Sequence, residues 1–244
     1  MPEVAWLHVF IDVPADLEEA TRRFWSDVTG WRPGRPWAGH PEFVSLQPPA
    51  ASTYAHVQRI GGPPRVHLDL LADDIDAETE RLVGLGAHRG ARHPWWQVMA
   101  SPEGLPFCLC GEPDRIRPAP TTWPDGHRSR IAQVCLDIQA ANYEAELTFW
   151  TDATGWTPER ARRPEYDRLR PPASSPLRLL VQRLGADDPG ESTRAHIDIG
   201  TDDVDAEAAR VEALGARPVR RLDRWVVFRD PADLPFCVTP QPPD

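Results

Sequence analysis

The sequence predicts an α+β fold: two tandem copies of one domain, each copy a pair of β-α-β-β-β units. Three observations predict it. First, the chain repeats itself in unbroken order. Phe24-Trp25 returns as Phe149-Trp150, and Thr29-Gly30-Trp31 as Thr154-Gly155-Trp156. His67-Leu68-Asp69-Leu70 returns as His196-Ile197-Asp198-Ile199, and Leu105-Pro106-Phe107-Cys108 as Leu234-Pro235-Phe236-Cys237. Second, strand-like alternation opens each copy. Third, a helical period follows it, closed by glycine.

The elements follow in order. Leu7, Val9, Ile11 and Val13 alternate with His8, Phe10 and Asp12, the period of a strand. From Pro14 to about Val28, Leu17, Ala20, Phe24 and Val28 fall on one helical face. Gly30 is placed to end that helix. Short strands are expected around Phe43 to Leu46 and Tyr54 to Ile60. The order then restarts with a strand at Val66 to Leu71 and a helix from Asp73 to Leu85, with Asp73 or Asp74 as N-cap. Gly86 closes it. Strands are expected at Ala87 to Arg89, Trp95 to Ala100 and Pro106 to Cys110. The second copy repeats this plan from about Ser129 to Pro240. The boundaries are therefore 1–111, a Pro-rich linker at 112–128, and 129–244. The linker reads as an extended spacer.

Composition narrows the function. Hydrophobic residues make up 41% and charged residues 26%, as in ordinary soluble proteins. The formal charge is −10. That argues against a nucleic-acid partner, which needs a basic patch. No apolar run is long enough for a membrane span. Met1-Pro2-Glu3-Val4 lacks the basic and apolar regions of a signal peptide. The four cysteines, Cys108, Cys110, Cys135 and Cys237, form no C-x-x-C pair and read as free thiols of a cytoplasmic protein.

Alternation also selects the pocket residues. A β-α-β-β-β unit covers one sheet face with its helix, and two such units can enclose a cup with their other faces. The apolar set Leu7, Val9, Ile11 meets the helix, so His8, Phe10 and Asp12 look into the cup. By the same rule His67 and Asp69 look inward, as do Gln133, Cys135, Asp137, His196 and Asp198, with Gln58 and Gln182 on the fourth strands. Asp12 and Asp137 are read as caps of the following helix. Trp25, Trp31, Trp150 and Trp156 are read as core. Trp96 and Trp225 are candidates to stack on a planar ligand. Trp37 and His40 are read as a solvated loop.

These motifs resemble the vicinal oxygen chelate superfamily, and most closely its tandem glyoxalase-like domain group. The carriers are the unit order, His-Leu-Asp-Leu or His-Ile-Asp-Ile before Asp-Asp-x-Asp-Ala-Glu, and the x-Pro-x-x-x-Pro-Phe-Cys ending. The superfamily includes glyoxalase I, extradiol dioxygenases, methylmalonyl-CoA epimerase and bacterial bleomycin- and fosfomycin-resistance proteins. The resemblance implies a cup-shaped mixed sheet with helices outside. In metal-dependent members it also implies ligands on the first, fourth, fifth and eighth strands, usually His or Gln, Glu, His and Glu. Carried over by position, those ligands are His8 and His67 in the first copy and Gln133 and His196 in the second. Pro106 and Pro235 fall at the expected eighth-strand glutamate. Cys108 and Cys237, two residues on, also face the cup, so a His8–His67–Cys108 zinc site is chemically feasible. Asp69 and Asp198 are the other substitutes for the missing carboxylate.

Two functions are therefore expected. One is a small-molecule binder without the usual metal centre and with no cofactor, serving resistance, sequestration or secondary metabolism. Its ligand would be lined by Phe10, Gln58, Asp69, Trp96, Gln133, Gln182, Asp198 and Trp225. The other is a lyase, isomerase or dioxygenase using His8, His67 and His196 as catalytic groups, with a Zn, Ni, Fe or Mn ion or by acid–base chemistry. Either would act as a monomer or homodimer.

Overall fold

The computed structural model describes residues 4–111, 115–185, 188 and 192–244. Met1 to Glu3, and Glu112 and Pro113 at the start of the linker, lie outside the described residues. The first copy runs β1 (Leu7–Val13), α1 (Glu18–Thr29), β2 (Arg32–Pro33), β3 (Phe43–Gln47), β4 (Ala55–Arg59), β5 (Arg65–Leu71), α2 (Ile75–Gly84), β6 (His88–Arg92), β7 (Trp96–Ala100) and β8 (Pro106–Cys110). A short β9 (Thr121–Thr122) pairs with β10 (Arg128–Ile138). The expected plain spacer therefore carries a strand. The second copy continues with α3 (Tyr143–Thr154), β11 (Thr157–Arg160), β12 (Tyr166–Arg170), β13 (Arg178–Arg183), β14 (Arg194–Thr201), α4 (Val204–Ala213), β15 (Arg217–Arg221), β16 (Val226–Arg229) and β17 (Pro235–Thr239).

Each copy forms one mixed sheet. The strand orders are β2-β3-β4-β1-β5-β8-β7-β6 and β11-β12-β13-β10-β14-β17-β16-β15. β5 and β8 are parallel, with Asp69 opposite Cys108. β14 and β17 repeat this, with Asp198 opposite Cys237. No helix among the described residues is long and apolar enough to cross a membrane.

Local signals behave as their chemistry requires. Gly30 and Gly155 end α1 and α3 with φ of 71° and 70°, in the left-handed region that favours glycine. Asp74 and Asp203 cap α2 and α4, accepting from backbone N–H groups within the first turn. Asp12 and Asp137 do not cap. The N-cap positions of α1 and α3 are Leu17 and Asn142. Asp12, fully buried, accepts from Arg65 Nε at 2.8 Å. Asp137 pairs with Arg194 Nε at 3.5 Å. The arginine that opens the fifth strand of each copy thus takes the aspartate for itself.

The molecule divides into two compact units, and each draws on both copies. The first unit holds Met1–Val9, His67–Arg115 and Val134–Ala195; the second holds Phe10–Val66, Ile116–Gln133 and His196–Asp244. In the first unit, Phe107 of β8 packs on Phe149 and Trp150 of α3, with ring centroids 6.0 and 5.4 Å apart. In the second, Phe236 of β17 packs on Phe24 and Trp25 of α1 at 5.8 and 5.3 Å. The four core tryptophans are buried as expected. An arginine closes each helix end. Arg81 donates to the carbonyls of Asp152 and Ala153 at 2.9 and 2.8 Å, and Arg210 to those of Asp27 and Val28 at 3.1 and 2.7 Å. These are the unsatisfied carbonyls of a helix C-terminus, where a cation is also favoured by the dipole.

A buried carboxylate serves the indole in each unit, but from opposite sides. In the first unit Glu146 of α3 accepts from Trp150 Nε1 at 2.8 Å and from the Glu103 N–H at 2.9 Å. In the second, Asp230 before β17 accepts from Trp25 Nε1 at 2.9 Å and the Ala232 N–H at 2.8 Å. The repeat places Thr21 where the other copy has Glu146, and Ser101 where it has Asp230. The acid has moved across the contact while its two donors have stayed.

Candidate functional site

β5 alternates Val66, Leu68 and Leu70 with His67 and Asp69, and all five are buried. The two polar residues share a face because a strand's side chains alternate. The parallel register with β8 brings Cys108 beside Asp69. His67, Asp69 and Cys108 each offer a ligand atom, all within 4.8 Å of one another. Their counterparts His196, Asp198 and Cys237 do the same. One such cluster lies wholly in each compact unit.

The atoms converge on a common point. His67 Nε2 lies 3.3 Å from Asp69 Oδ1, and His196 Nε2 lies 3.3 Å from Asp198 Oδ1. Cys237 Sγ is 3.7 Å from the same His196 Nε2. A Cys–His–Asp relay would use both ring nitrogens, one for each partner. Here a single nitrogen faces both. It can either donate or accept, so it cannot serve carboxylate and thiol together. Asp69 Oδ1 and Asp198 Oδ1 accept no hydrogen bond among the described residues. Burial, reinforced by the Asp69 charge, pushes the Cys108 thiol up to about 12. In that state the sulfur is a protonated thiol at neutral pH and a poor nucleophile.

A divalent ion fits this donor set. For a tetrahedral ion, ligand bonds near 2.0 Å to N and O and 2.3 Å to S give edges of about 3.3 Å for N···O and about 3.5 Å for N···S. The observed 3.3 and 3.7 Å match within the breadth of such sites. The orphan carboxylate oxygens are the ones a cation would satisfy.

The remaining candidates separate. Gln133 Nε2 donates to Asp198 Oδ2 at 2.6 Å, so it orients the carboxylate. His8, 3% exposed on β1, stands in the first unit at the equivalent position; the convergent donors there are His67, Asp69 and Cys108. The eighth-strand donor is thus the cysteine, two residues beyond Pro106 or Pro235. Gln182 Oε1 faces Cys135 Sγ at 3.7 Å. Trp96 stacks on His93 at 4.4 Å, while Trp225 is half-buried.

Phe10 is 2% exposed and stacks on His56 at 4.4 Å. Trp37 lies edge-on to both and stacks on Phe43 at 4.9 Å. Its Nε1 donates to Ser45 Oγ at 2.9 Å, and that hydroxyl also meets His56 Nδ1 at 3.0 Å. The space given to a ligand at Phe10 is therefore filled by the protein's own rings, and Trp37 belongs to that cluster, not to a solvated loop. His56 was missed by sequence reasoning. Its one signal is strand alternation with Gln58; the repeat puts Leu180 in its place. A recess of about 500 Å³ lies beside Trp31, Trp123 and Arg210, and no residue of either His–Asp–Cys cluster lines it.

The sequence model of the glyoxalase-like domain matches twice, over residues 8–110 and 133–239. The chain belongs to the glyoxalase-like domain family. Glyoxalase-like architecture is found again in solved structures. A Mn(II)-bound glyoxalase from Novosphingobium aromaticivorans superposes with a TM-score of 0.69 and 18% identity, covering 98% of this chain and 83% of that one. A 2,2',3-trihydroxybiphenyl 1,2-dioxygenase from Sphingomonas wittichii gives 0.64 and 15%, covering 97% and 90%. Homoprotocatechuate 2,3-dioxygenase from Arthrobacter globiformis gives 0.65 and 12%, covering 98% and 80%. These likenesses show a shared fold. No curated protein matches it in sequence.

Proposed function

We propose that this glyoxalase-like protein binds a small oxygen-bearing organic molecule at its His–Asp–Cys clusters, with a divalent ion held between protein and ligand. One observation carries the reading: an imidazole, a carboxylate and a thiol converge in both copies, all three residues buried in the second and Cys108 half-buried in the first. His67, Asp69 and Cys108 would hold the ion in the first unit, and His196, Asp198 and Cys237 in the second. Three protein ligands leave a position for an exogenous oxygen. When bound, the ion supplies positive charge that polarises a carbonyl or hydroxyl oxygen. The chain's own residues then differ between the units. His8 carries an imidazole that can take or give a proton. Gln133, its counterpart, cannot; it holds Asp198 in place. Proton-transfer chemistry belongs to the first unit, and the second binds without it. The fold relatives are named as a Mn(II)-bound glyoxalase and as dioxygenases, which supports a metal-bearing reading over a metal-free binder.

Metal analysis of protein purified without chelator tests the reading. Bound divalent ion is expected, and it should fall when His67 or His196 is changed to Ala. A full complement of ion in both variants, or none in the unaltered chain, would sink it. Oxygenated organic compounds are then screened by thermal shift with the ion present, since ligands of the native state raise the melting temperature.

A further inference from the structure

The two clusters share a feature that the resemblance does not supply: a sulfur donor. We infer that Cys108 and Cys237 make both clusters thiolate-containing sites that select thiophilic divalent ions such as zinc and cobalt, two per chain, over manganese and magnesium. This rests on the proposed function above, and deepens it by naming the ion class.

The argument runs through the donors. β8 places Cys108 opposite Asp69, and β17 places Cys237 opposite Asp198, by the same parallel register. Both sulfurs therefore join the imidazole and carboxylate from the neighbouring strand. Soft thiolate ligands favour zinc-class ions, whereas magnesium and manganese prefer all-oxygen or oxygen-rich surroundings. The carboxylates give the second, independent sign. Asp69 and Asp198 are 7% and 2% exposed, and each keeps one oxygen without a hydrogen bond, turned to the histidine of its cluster. A buried carboxylate oxygen that makes no hydrogen bond, with only an imidazole nitrogen at 3.3 Å, is costly. Both copies retain it beside a thiol and an imidazole. An ion coordinated by all three resolves the conflict at Nε2 and satisfies the orphan oxygen in one step.

The clusters are near-equal in donors but not in support. Asp198 is fixed by Gln133 at 2.6 Å. The first cluster has His8 in the equivalent place. Two equivalents of unequal affinity follow.

The test is a cobalt titration of the full-length, chelator-stripped protein under reducing conditions. A sulfur-to-cobalt charge-transfer band in the near ultraviolet should grow to an end point of two equivalents. C108S and C237S should each lose about half of the band, while C110S keeps all of it. Zinc should displace the cobalt stoichiometrically; manganese at about a hundredfold excess should leave the band intact. Cobalt binding without a sulfur band, or displacement by manganese as readily as by zinc, overturns the inference while leaving an ion site standing. No cobalt binding at all removes both. The manganese competition uses the unaltered chain, so it decides the matter even where a serine variant fails to fold.

Discussion

Replacing Asp230 by serine tests how the second unit satisfies its buried tryptophan. In the native chain Asp230 accepts from Trp25 Nε1, the Ala232 N–H and the Leu234 N–H. The equivalent Ser101 shows what a serine hydroxyl can keep: it accepts from the Leu105 N–H at 3.0 Å. D230S should therefore retain one bond and strand two buried donors, the indole and the Ala232 N–H. Leaving them unsatisfied costs about 2–4 kcal/mol together. Thr21→Glu supplies the missing acid from α1, as Glu146 does from α3. Alone, it sets a second carboxylate beside Asp230 and destabilises. Combined with D230S, it reproduces the first unit's arrangement and should recover at least about 2 kcal/mol of the loss. Urea denaturation of the four chains, read as midpoints at unchanged slope, measures the coupling. Strict additivity of the two changes would refute the exchange of acids across the contact. The pH dependence gives a second readout. Burial, the largest influence on each, raises the carboxyls of both Asp230 and Glu146 above their ordinary values. A raised acid contributes stability that is complete below its unfolded value and lost as pH rises through the folded one. D230S should flatten that part of the slope, and the double variant should restore it.

Further outcomes are expected elsewhere. His127 lies between Glu207 Oε2 at 2.8 Å and Asp125 Oδ1 at 2.6 Å. Burial pushes its imidazole down, but the bonds and charges of Glu207 and Asp125 outweigh this and raise it above 6.5. Its contribution is therefore full below that value and lost as pH climbs through the raised one, so H127Q should flatten urea midpoints measured from about pH 6 to 9; an unchanged profile would show that the pairing does not stabilise. Gly200→Ala would set a Cβ 2.6 Å from the Gln241 carbonyl oxygen and 2.9 Å from Ala132 Cβ. Thermal melts should show a loss of about 1–3 kcal/mol, only partly recovered by deleting 241–244, because Ala132 remains in the way. D198N keeps an acceptor for Gln133 while removing the buried charge. The ion-free protein should gain on the order of 1 kcal/mol, and the second cobalt equivalent should vanish; retention of that equivalent would clear Asp198 of any role.

The repeat and its alternation made the succession of strands and helices along the chain, the glycine-ended helices and the shared face of His67 with Asp69 and of His196 with Asp198 legible. Other features depend on neighbours that no local pattern names. Asp12 looked like a helix cap because it precedes a helix; Arg65, distant in sequence, claims it through the buried pair. The sequence shows Cys108 on the inward face of its strand and pairs it with His8 and His67, but it does not show that Asp69 is its neighbour. Only the parallel register with β5 shows which residue meets Asp69. His56 escaped because its partners, Phe10 and Trp37, come together from a strand and a loop. The Thr21/Glu146 and Ser101/Asp230 differences were present in the sequence throughout. Their meaning depends on the helix of one copy packing on the turn of the other.

That exchange has a consequence for how the chain is made. A ribosome releases the first copy whole, but neither compact unit can close then. Phe107 awaits α3, and Phe24 and Trp25 await Phe236, so aromatic faces stay uncovered until the last strands emerge. Synthesis thus holds a long waiting period with many sequence-distant contacts still to form. A gene carrying a single copy could meet the same need only by borrowing the complementary half from a second chain. Fusion of two copies turns that concentration-dependent encounter into an intramolecular one.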